Sequence, residues 1–551
     1  MRLKTIAVVG IIFLLFFSAT IVRLGYLTLV RSEELAVQAR AQHSRSFDYF
    51  QYARGEIVDR RGRSFTNNRE LCIVVMPGML RNLDNTAALL ADILDLETHL
   101  VYSRLALGRR LMASPYIFKT GLTLEQATVI RESELAGVFV MTLAARHSRS
   151  ATAAHILGKL QMGENFTTMR GISGIELLYE SYLQNRTDRR VTAQVDAVGR
   201  LSSDDWFIVD QPVVKNIVQL TLDIDFQQIA ERALAGFNGA AIILDPHTGD
   251  ILAAASSPSF DAYGWHAPTT ADTFVNKAFA FYNPASTFKI LLTIAALEYN
   301  VYLPGFVCEG YSLVDGQHLI HCWNRSGHGE QSLAQALANS CNPYFVTLGW
   351  ELGEATLRDL WQRLGLAEQR VLGYQIADGP ATLRFNGNVP GDMANISLGE
   401  NGVRLSPLQV AQLTAISANG GRLLTPRLVQ SVTTQDGHIL QYIDNEPLAQ
   451  VVSRFTASRL AMMLRLSVTD GTSRNLQNSL LPVAAKTGTS EIGGIWCTGF
   501  APYELGSTED VKWVIAVYLT DGHAGGQEAA QVFQQIVNDL ALLEGLVETE
   551  D

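Results

Sequence analysis

A chain of 551 residues is too long for one ordinary domain and points to two or three. Its 47% hydrophobic and 18% charged content provides for a sizeable core, and a net charge of −11 without a long basic run excludes general nucleic-acid binding. Five scattered cysteines are too few for a disulfide scaffold, and their spacing matches no zinc pattern.

Thr5 to Val22 is a nearly unbroken apolar run behind Arg2 and Lys4, and it extends past Arg23 to Val30. That length suits a membrane span. It favours an uncleaved signal anchor over a cleaved leader, for which Ser18-Ala19-Thr20 is a weak processing site, and over a buried core helix. Basic residues ahead of the span place the N-terminus in the cytoplasm and the rest outside. Residues 31 to 45 read as a polar juxtamembrane helix.

The segment Arg54-Gly-Glu-Ile-Val-Asp-Arg-Arg-Gly62 reads as a short strand, Glu56–Val58, ending in a turn. From Asp84 to Glu134 the pattern is largely helical, and Gly137–Met141 is a strand. His155, in Ala154-His-Ile-Leu-Gly158, reads as a packed structural histidine. This region shows no metal-ligand spacing, nucleotide-binding glycine loop or repeat.

Near Ile217 the pattern changes. Gln219–Leu222 is a strand, Asp225–Leu234 a helix, and Ala240–Leu244 with Asp250–Ala255 a hairpin. Next comes Asn283-Pro-Ala-Ser-Thr-Phe-Lys-Ile290, leading an apolar helical run. Ser286 and Lys289 stand three apart on one helix face, so the amine can reach the hydroxyl and take its proton. Alone the pair is weak evidence, because most such lysines are solvated.

Cys308 and Cys322 flank a short hairpin-like stretch. Outside the membrane they are expected to bridge, closing a loop of about 15 residues worth up to ~3 kcal/mol. The alternative is two independent thiols; Cys72, Cys341 and Cys497 have no obvious partner. Ser340-Cys341-Asn342 follows, and then Lys486-Thr487-Gly488-Thr489 on an edge strand. Trp496–Pro502 and Val511–Tyr518 are neighbouring strands, and a helix closes the chain from Gln527 to Leu543.

Ser-x-x-Lys, Ser-x-Asn and Lys-Thr-Gly, in this order and at domain-scale spacing, resemble the penicillin-recognising serine acyltransferases. The 54–62 segment, Gly171–Tyr179, Val195–Arg200, Gly327-His328-Gly329, Ser397–Gly402 and Asn419–Gly421 extend the resemblance to class B penicillin-binding proteins over nearly the whole chain. It implies an α+β fold with a transmembrane anchor (1–30), a mixed α/β non-catalytic pedestal (31–215), a transpeptidase domain (216–545) whose β-sheet is sandwiched by helices in β-lactamase-like fashion, and a tail (546–551). His328 is taken as structural, and the 54–62 signature is given no catalytic part.

The implied activity is a peptidoglycan D,D-transpeptidase of a bacterial cytoplasmic membrane, facing outward. Ser286 is then the nucleophile, Lys289 its base, Ser340 the proton relay and Asn342 an orienting amide. Lys486 is a fixed cation for a substrate carboxylate that Thr487 and Thr489 also bind, and Gly488 leaves room for an extended substrate. Backbone N–H groups of Ser286 and Thr489 form the oxyanion hole. No metal or organic cofactor is implied. Stem peptides are the substrates, β-lactams covalent inhibitors, and a multi-span glycosyltransferase a partner. Ala285 departs from the usual glycine, and Pro-Ala-Ser-Thr-Phe-Lys is also similar to class D β-lactamases and β-lactam sensors; these carry Ser-x-Val where Asn342 stands. A non-catalytic cell-wall scaffold is the rival from another class.

Overall fold

The computed structural model describes residues 2–35, 44–49, 54–66, 68–111, 116–146, 152–162, 169–184, 189–195, 201–210, 215–260, 271–314, 318–376, 381–386, 391–445, 450–521 and 526–547. Helix α1 (Arg2–Gly25) continues as a π-helical turn, Tyr26–Val30. It is apolar all round, none of Ile6–Val30 is buried against protein, and its length suffices to cross a membrane. Of the expected juxtamembrane helix (31–45), residues 32–35 are helical, 36–43 lie outside the described part and 44–45 belong instead to a strand, Ser44–Tyr49; 196–200 of the segment 195–200 also lie outside it.

In the pedestal, strand Asn68–Val75 lies between Tyr116–Lys119 and Val138–Ala145, all antiparallel. Helices Leu83–Leu94, Thr98–Leu111 and Leu124–Glu132 share a core with it that includes Ile73, Val75, Leu90, Val101, Leu105 and Ile130. Strand Tyr116–Lys119 interrupts the stretch read as helical. Four residues are too few to distinguish a period of 2 from one of 3.6.

Strand β1 (Glu56–Val58) pairs in parallel with β2 (Asn216–Leu220), so the 54–62 signature is part of the joint between the two halves. Asp59 Oδ1 accepts from Arg61 N and Arg63 N at 2.8 Å, closing the turn. The Arg63 guanidinium then reaches Asp223 at 2.8 Å and Asp225 at 2.6 Å. Asp223 N-caps α2 (Ile224–Ala233), so a pedestal arginine bears on the first helix after the joint. The signature is a structural clamp, as expected.

The central sheet uses β3 (Gly239–Leu244), β4 (Ile251–Ser257), β5 (Ala484–Thr489), β6 (Ile495–Ala501) and β7 (Trp513–Leu519) in the order β4-β3-β7-β6-β5, every neighbour antiparallel. All six residues of β3 are buried, as a continuous apolar run requires of a strand covered on both faces. Ala240, Ile242 and Leu244 enter one core with α3 (Lys289–Glu298), α6 (Pro407–Ala418) and α7 (Arg454–Thr469); between α3 and α6 in sequence come α4 (Leu333–Ala338) and α5 (Asn342–Arg363). Ala241 and Ile243 enter another with α2 and α8 (Gln527–Leu543), where Phe226, Ile229, Phe533 and Ile536 lie. Each buried large apolar side chain contributes roughly 1.5–3 kcal/mol, and together they hold the sheet between its helices. The expected hairpin, edge strand and closing helix are all present. Among the described strands, β5 lies at the sheet's edge and is hydrogen-bonded to β6 alone.

Candidate active site

The nucleophile segment is a tight turn. Pro284 leads a 3₁₀ turn, Ala285–Phe288, that runs into α3 at Lys289. A 3₁₀ turn eclipses residues i and i+3, which puts Ser286 and Lys289 on one side. Ala285 sits at φ +49°, in the left-handed region, which costs a residue with a Cβ on the order of 1–2 kcal/mol. This is the physical reason a glycine is usual there. The turn is braced from outside: Ala285 N donates to Gly399 O at 2.9 Å, and a Cβ on Gly399 would lie 2.1 Å from Ala285 O. Trp496 Nε1 on β6 donates to Asn283 O at 2.9 Å.

Lys289 is wholly buried. Its Nζ lies 2.9 Å from Ser340 O, 3.3 Å from Ser340 Oγ and 2.7 Å from Asn342 Oδ1. Burial lowers its pKa to about 8, against an opposing pull from the Cys341 and Cys322 thiols. A neutral amine donates two hydrogen bonds and keeps one lone pair. The Ser340 carbonyl and the Asn342 amide take the two, and the lone pair is left for a hydroxyl proton.

The second motif follows α4. Ser340 also takes a left-handed conformation, φ +53°, and Asn342 begins α5. Asn342 Nδ2 donates to His321 O at 3.2 Å, which fixes its carbonyl end toward Lys289. The third motif is β5. A Cβ on Gly488 would lie 3.2 Å from both Ser286 N and Thr287 N, so this strand runs directly against the nucleophile turn. Thr489 is exposed at the strand's end, and Thr487 Oγ1 reaches Thr472 Oγ1 at 3.3 Å. Thr472 N in turn donates to Ala338 O at 3.0 Å, at the end of α4, so motifs two and three are tied together.

Lys486, expected to be a fixed cation, is wholly buried and donates to Thr487 O at 2.6 Å. Burial first, and repulsion from Lys289 second, hold its pKa well below the usual ammonium range. Two buried amines repel each other, so an anion beside Lys486 favours its charged form.

The expected Cys308–Cys322 disulfide is overturned, since all five cysteines are free thiols. Strand Val307–Cys308 pairs with Gly329–Glu330, bringing Cys308 beside His328. The hairpin Tyr311–Val314 with His318–His321 returns the chain so that Cys322 N meets Gly310 O at 2.9 Å. Cys341, at the N-cap of α5, completes the group. The three sulfurs and one imidazole nitrogen all lie within 4.8 Å of one another, with His328 Nδ1 3.5 Å from Cys322 Sγ and 3.7 Å from Cys308 Sγ. Cys322 is lowered to about 5, chiefly by a hydrogen bond from Cys341, whose own thiol is pushed up. Three soft sulfurs and an imidazole form a donor set suited to a tetrahedral Zn²⁺. This candidate donor set leaves no short spacing in the sequence, because its four members come from separate turns. His328, taken as merely structural, belongs to this set, while His155 is structural: its Nε2 lies 2.9 Å from Thr273 O, and burial lowers its pKa to about 4.

Sequence reasoning also missed Glu400, a buried carboxylate beside the site. Its one signal was the segment Ser397–Gly402, noted only as flanking.

A helix-covered sheet whose edge strand meets a Ser-x-x-Lys turn is the architecture of the penicillin-binding transpeptidases. The model of the penicillin-binding protein transpeptidase domain matches residues 239–538, and that of the penicillin-binding protein dimerisation domain matches residues 51–207. The chain belongs to this family and, with both domains, is a class B penicillin-binding protein. It is 29% identical over 517 residues to stage V sporulation protein D of Bacillus subtilis, covering 89% of this chain and 76% of that one. It is 25% identical over 562 residues to the peptidoglycan D,D-transpeptidase MrdA of Haemophilus influenzae, covering 88% and 83%. The crystal structure of the D,D-transpeptidase domain of a peptidoglycan glycosyltransferase from Eggerthella lenta superposes with a TM-score of 0.62 at 23% identity, covering 90% of this chain and 99% of that one. That likeness shows the fold.

Proposed function

We propose that this chain is a membrane-anchored peptidoglycan D,D-transpeptidase in which Ser286 carries the acyl group. One observation supports it above the rest: Lys289 is bonded to Ser340 and Asn342 while β5 lies against the Ser286 amide, so the three motifs converge on one point.

A stem peptide ending in D-Ala-D-Ala adds along the free edge of β5 as an extra strand. Its terminal carboxylate meets Thr487, Thr489 and Lys486. That anion restores the proton of Lys486, whose charge then keeps Lys289 neutral. Ser286 Oγ attacks the penultimate D-alanine carbonyl as Lys289 takes its proton, and the N–H groups of Ser286 and Thr489 receive the oxyanion. Ser340 passes the proton to the departing amine, and D-alanine leaves. An amine from a second stem then attacks the ester by the reverse path, forming the cross-link and freeing Ser286. A β-lactam follows the first half, with its leaving amine still tethered.

The Asn342 amide beside Lys289 favours this reading over a class D-like hydrolase or sensor, which needs apolar surroundings for a carboxylated lysine. Arg2 and Lys4, in the first turn of α1 ahead of its apolar run, favour a catalytic domain outside the cytoplasm. The test is turnover of a D-Ala-D-Ala stem pentapeptide with an acceptor amine. Released D-alanine and cross-linked product, both lost in Ser286→Ala, support the reading; product formation undiminished in that variant refutes it.

A further inference from the structure

Glu400 is 7% exposed, and its three recorded donors are all neutral. Ser490 Oγ donates to its Oε2 at 2.8 Å, Asn283 Nδ2 to the same oxygen at 3.3 Å, and Glu491 N to its Oε1 at 3.2 Å. Asn283 lies three residues before Ser286; Ser490 and Glu491 lie one and two residues after Thr489. One carboxylate therefore bridges the chain entering the nucleophile turn and the chain leaving the edge strand.

The backbone around Glu400 is built to hold it there. Gly399 O receives Ala285 N at 2.9 Å, and Leu405 exchanges two hydrogen bonds of 2.9 Å with Tyr282. Residues 399–405 thus run as a brace along 282–285, and the Glu400 side chain reaches from that brace across to β5. Burying a carboxylate without a cation is costly, which a purely packing role would avoid. The cost makes sense where an anionic acceptor must gather donors from two segments at once. Burial raises the carboxyl's pKa, and these same donors oppose the rise.

We propose that Glu400 is a positioning residue for acyl transfer: it fixes the gap between the Ser286 and Thr489 N–H groups that receive the oxyanion. It touches no reacting atom. Loosening it lets the end of β5 drift from the nucleophile turn, and sub-ångström drift weakens oxyanion stabilisation. The oxyanion forms both when the acyl-enzyme is made and when it breaks, so both steps slow together. Substrate binding along β5 is left in place. The inference rests on the Ser286 reading above.

The experiment compares the wild type, Glu400→Ala, Glu400→Gln and Ser490→Ala by stopped-flow labelling with a fluorescent penicillin, followed by the decay of the label. Glu400→Ala is expected to slow the acylation step roughly 10–100-fold, a fraction of what losing an oxyanion donor costs. Pre-acylation binding should stay within about twofold, the acyl-enzyme should live correspondingly longer, and labelling should still reach one per chain. Glu400→Gln keeps one acceptor oxygen and should recover part of the loss; Ser490→Ala should show a smaller loss of the same kind. If Glu400→Ala does not fold, Glu400→Gln decides: slower labelling with a longer-lived adduct supports the proposal, and wild-type rates of both overturn it. A reduced labelled fraction at unchanged rates, or slower acylation with faster decay, also overturns it. A wild type that does not label at Ser286 fails the earlier reading instead.

Discussion

A serine hydroxyl beside a lysine becomes a nucleophile only when that lysine is neutral, and burial shifts Lys289 toward its neutral form. Lys289 has its pKa lowered to about 8. Below that value the amine is protonated and cannot accept the Ser286 proton. Acylation by a penicillin should therefore rise about tenfold per pH unit on the acid side and level off above about 8. A stopped-flow pH series checks this; a flat profile between pH 6 and 9 would remove Lys289 from the role of base. Asn342→Ala deletes the acceptor at 2.7 Å and leaves Lys289 free to shift, so acylation should drop about 10–100-fold while the fold persists. Labelling rate and melting temperature report the two separately. At this scale the sequence was most legible where residue identity is the chemistry: Ser286, Lys289, Ser340, Asn342 and Lys486 are all reactive types in a fixed order. Glu400 was not legible, because one glutamate acquires meaning only from the segments it bridges. The burial of Lys486 was not legible either, since burial cannot be read from a side chain's name.

Elements decide which of those residues meet. β5 reaches the nucleophile turn because it is an edge strand and because Gly488 allows the approach. Gly488→Val should push the strand away or block the substrate's path, lowering acylation by 10²-fold or more with melting little changed. Wild-type labelling in that variant would mean that β5 is not the substrate's strand. The hairpin between Cys308 and Cys322 brings those two thiols to His328 and Cys341, four potential metal ligands beside the second motif. Metal analysis of protein purified without chelator should find about one zinc per chain, and alkylation after denaturation and chelation should find five free thiols. Cys322→Ser should lose the metal and several degrees of melting temperature, at the ~2–4 °C per kcal/mol expected of domains this size. A Cys308–Cys322 bridge in the mass spectrum would contradict this. Long periodic elements such as β3, β6, β7 and α8 were legible from apolar runs and their punctuation. The strand Tyr116–Lys119 was hidden by its shortness, and the cysteine cluster by the separation of its parts along the chain.

Over the whole molecule, the pedestal is joined to the sheet by β1 and by the arginines that follow it. Arg63→Ala takes the cation from buried Asp59 and one of two from Asp223, which keeps Arg61 at 2.8 Å, at a cost of about 1–3 kcal/mol once the arginine's partial exposure is allowed for. Thermal melting should fall, while penicillin acylation of the folded protein stays within about twofold; the reverse result would give the clamp a catalytic part. The anchor, pedestal and transpeptidase domain were legible in outline because each carries its own pattern: an unbroken apolar run, a signature turn and three spaced motifs. The pairing of β1 with β2 was not, because parallel pairing of distant strands leaves no local mark. The central claim is that Ser286 accepts and holds an acyl group. It is tested most directly by intact-protein mass spectrometry of penicillin-treated protein over time, with peptide mapping and Ser286→Ala as control. One stable adduct per chain is expected, on Ser286 and absent from the variant. No adduct on the folded protein, or one that turns over rapidly to free penicilloate, would contradict it; the first would favour a scaffold and the second a hydrolase.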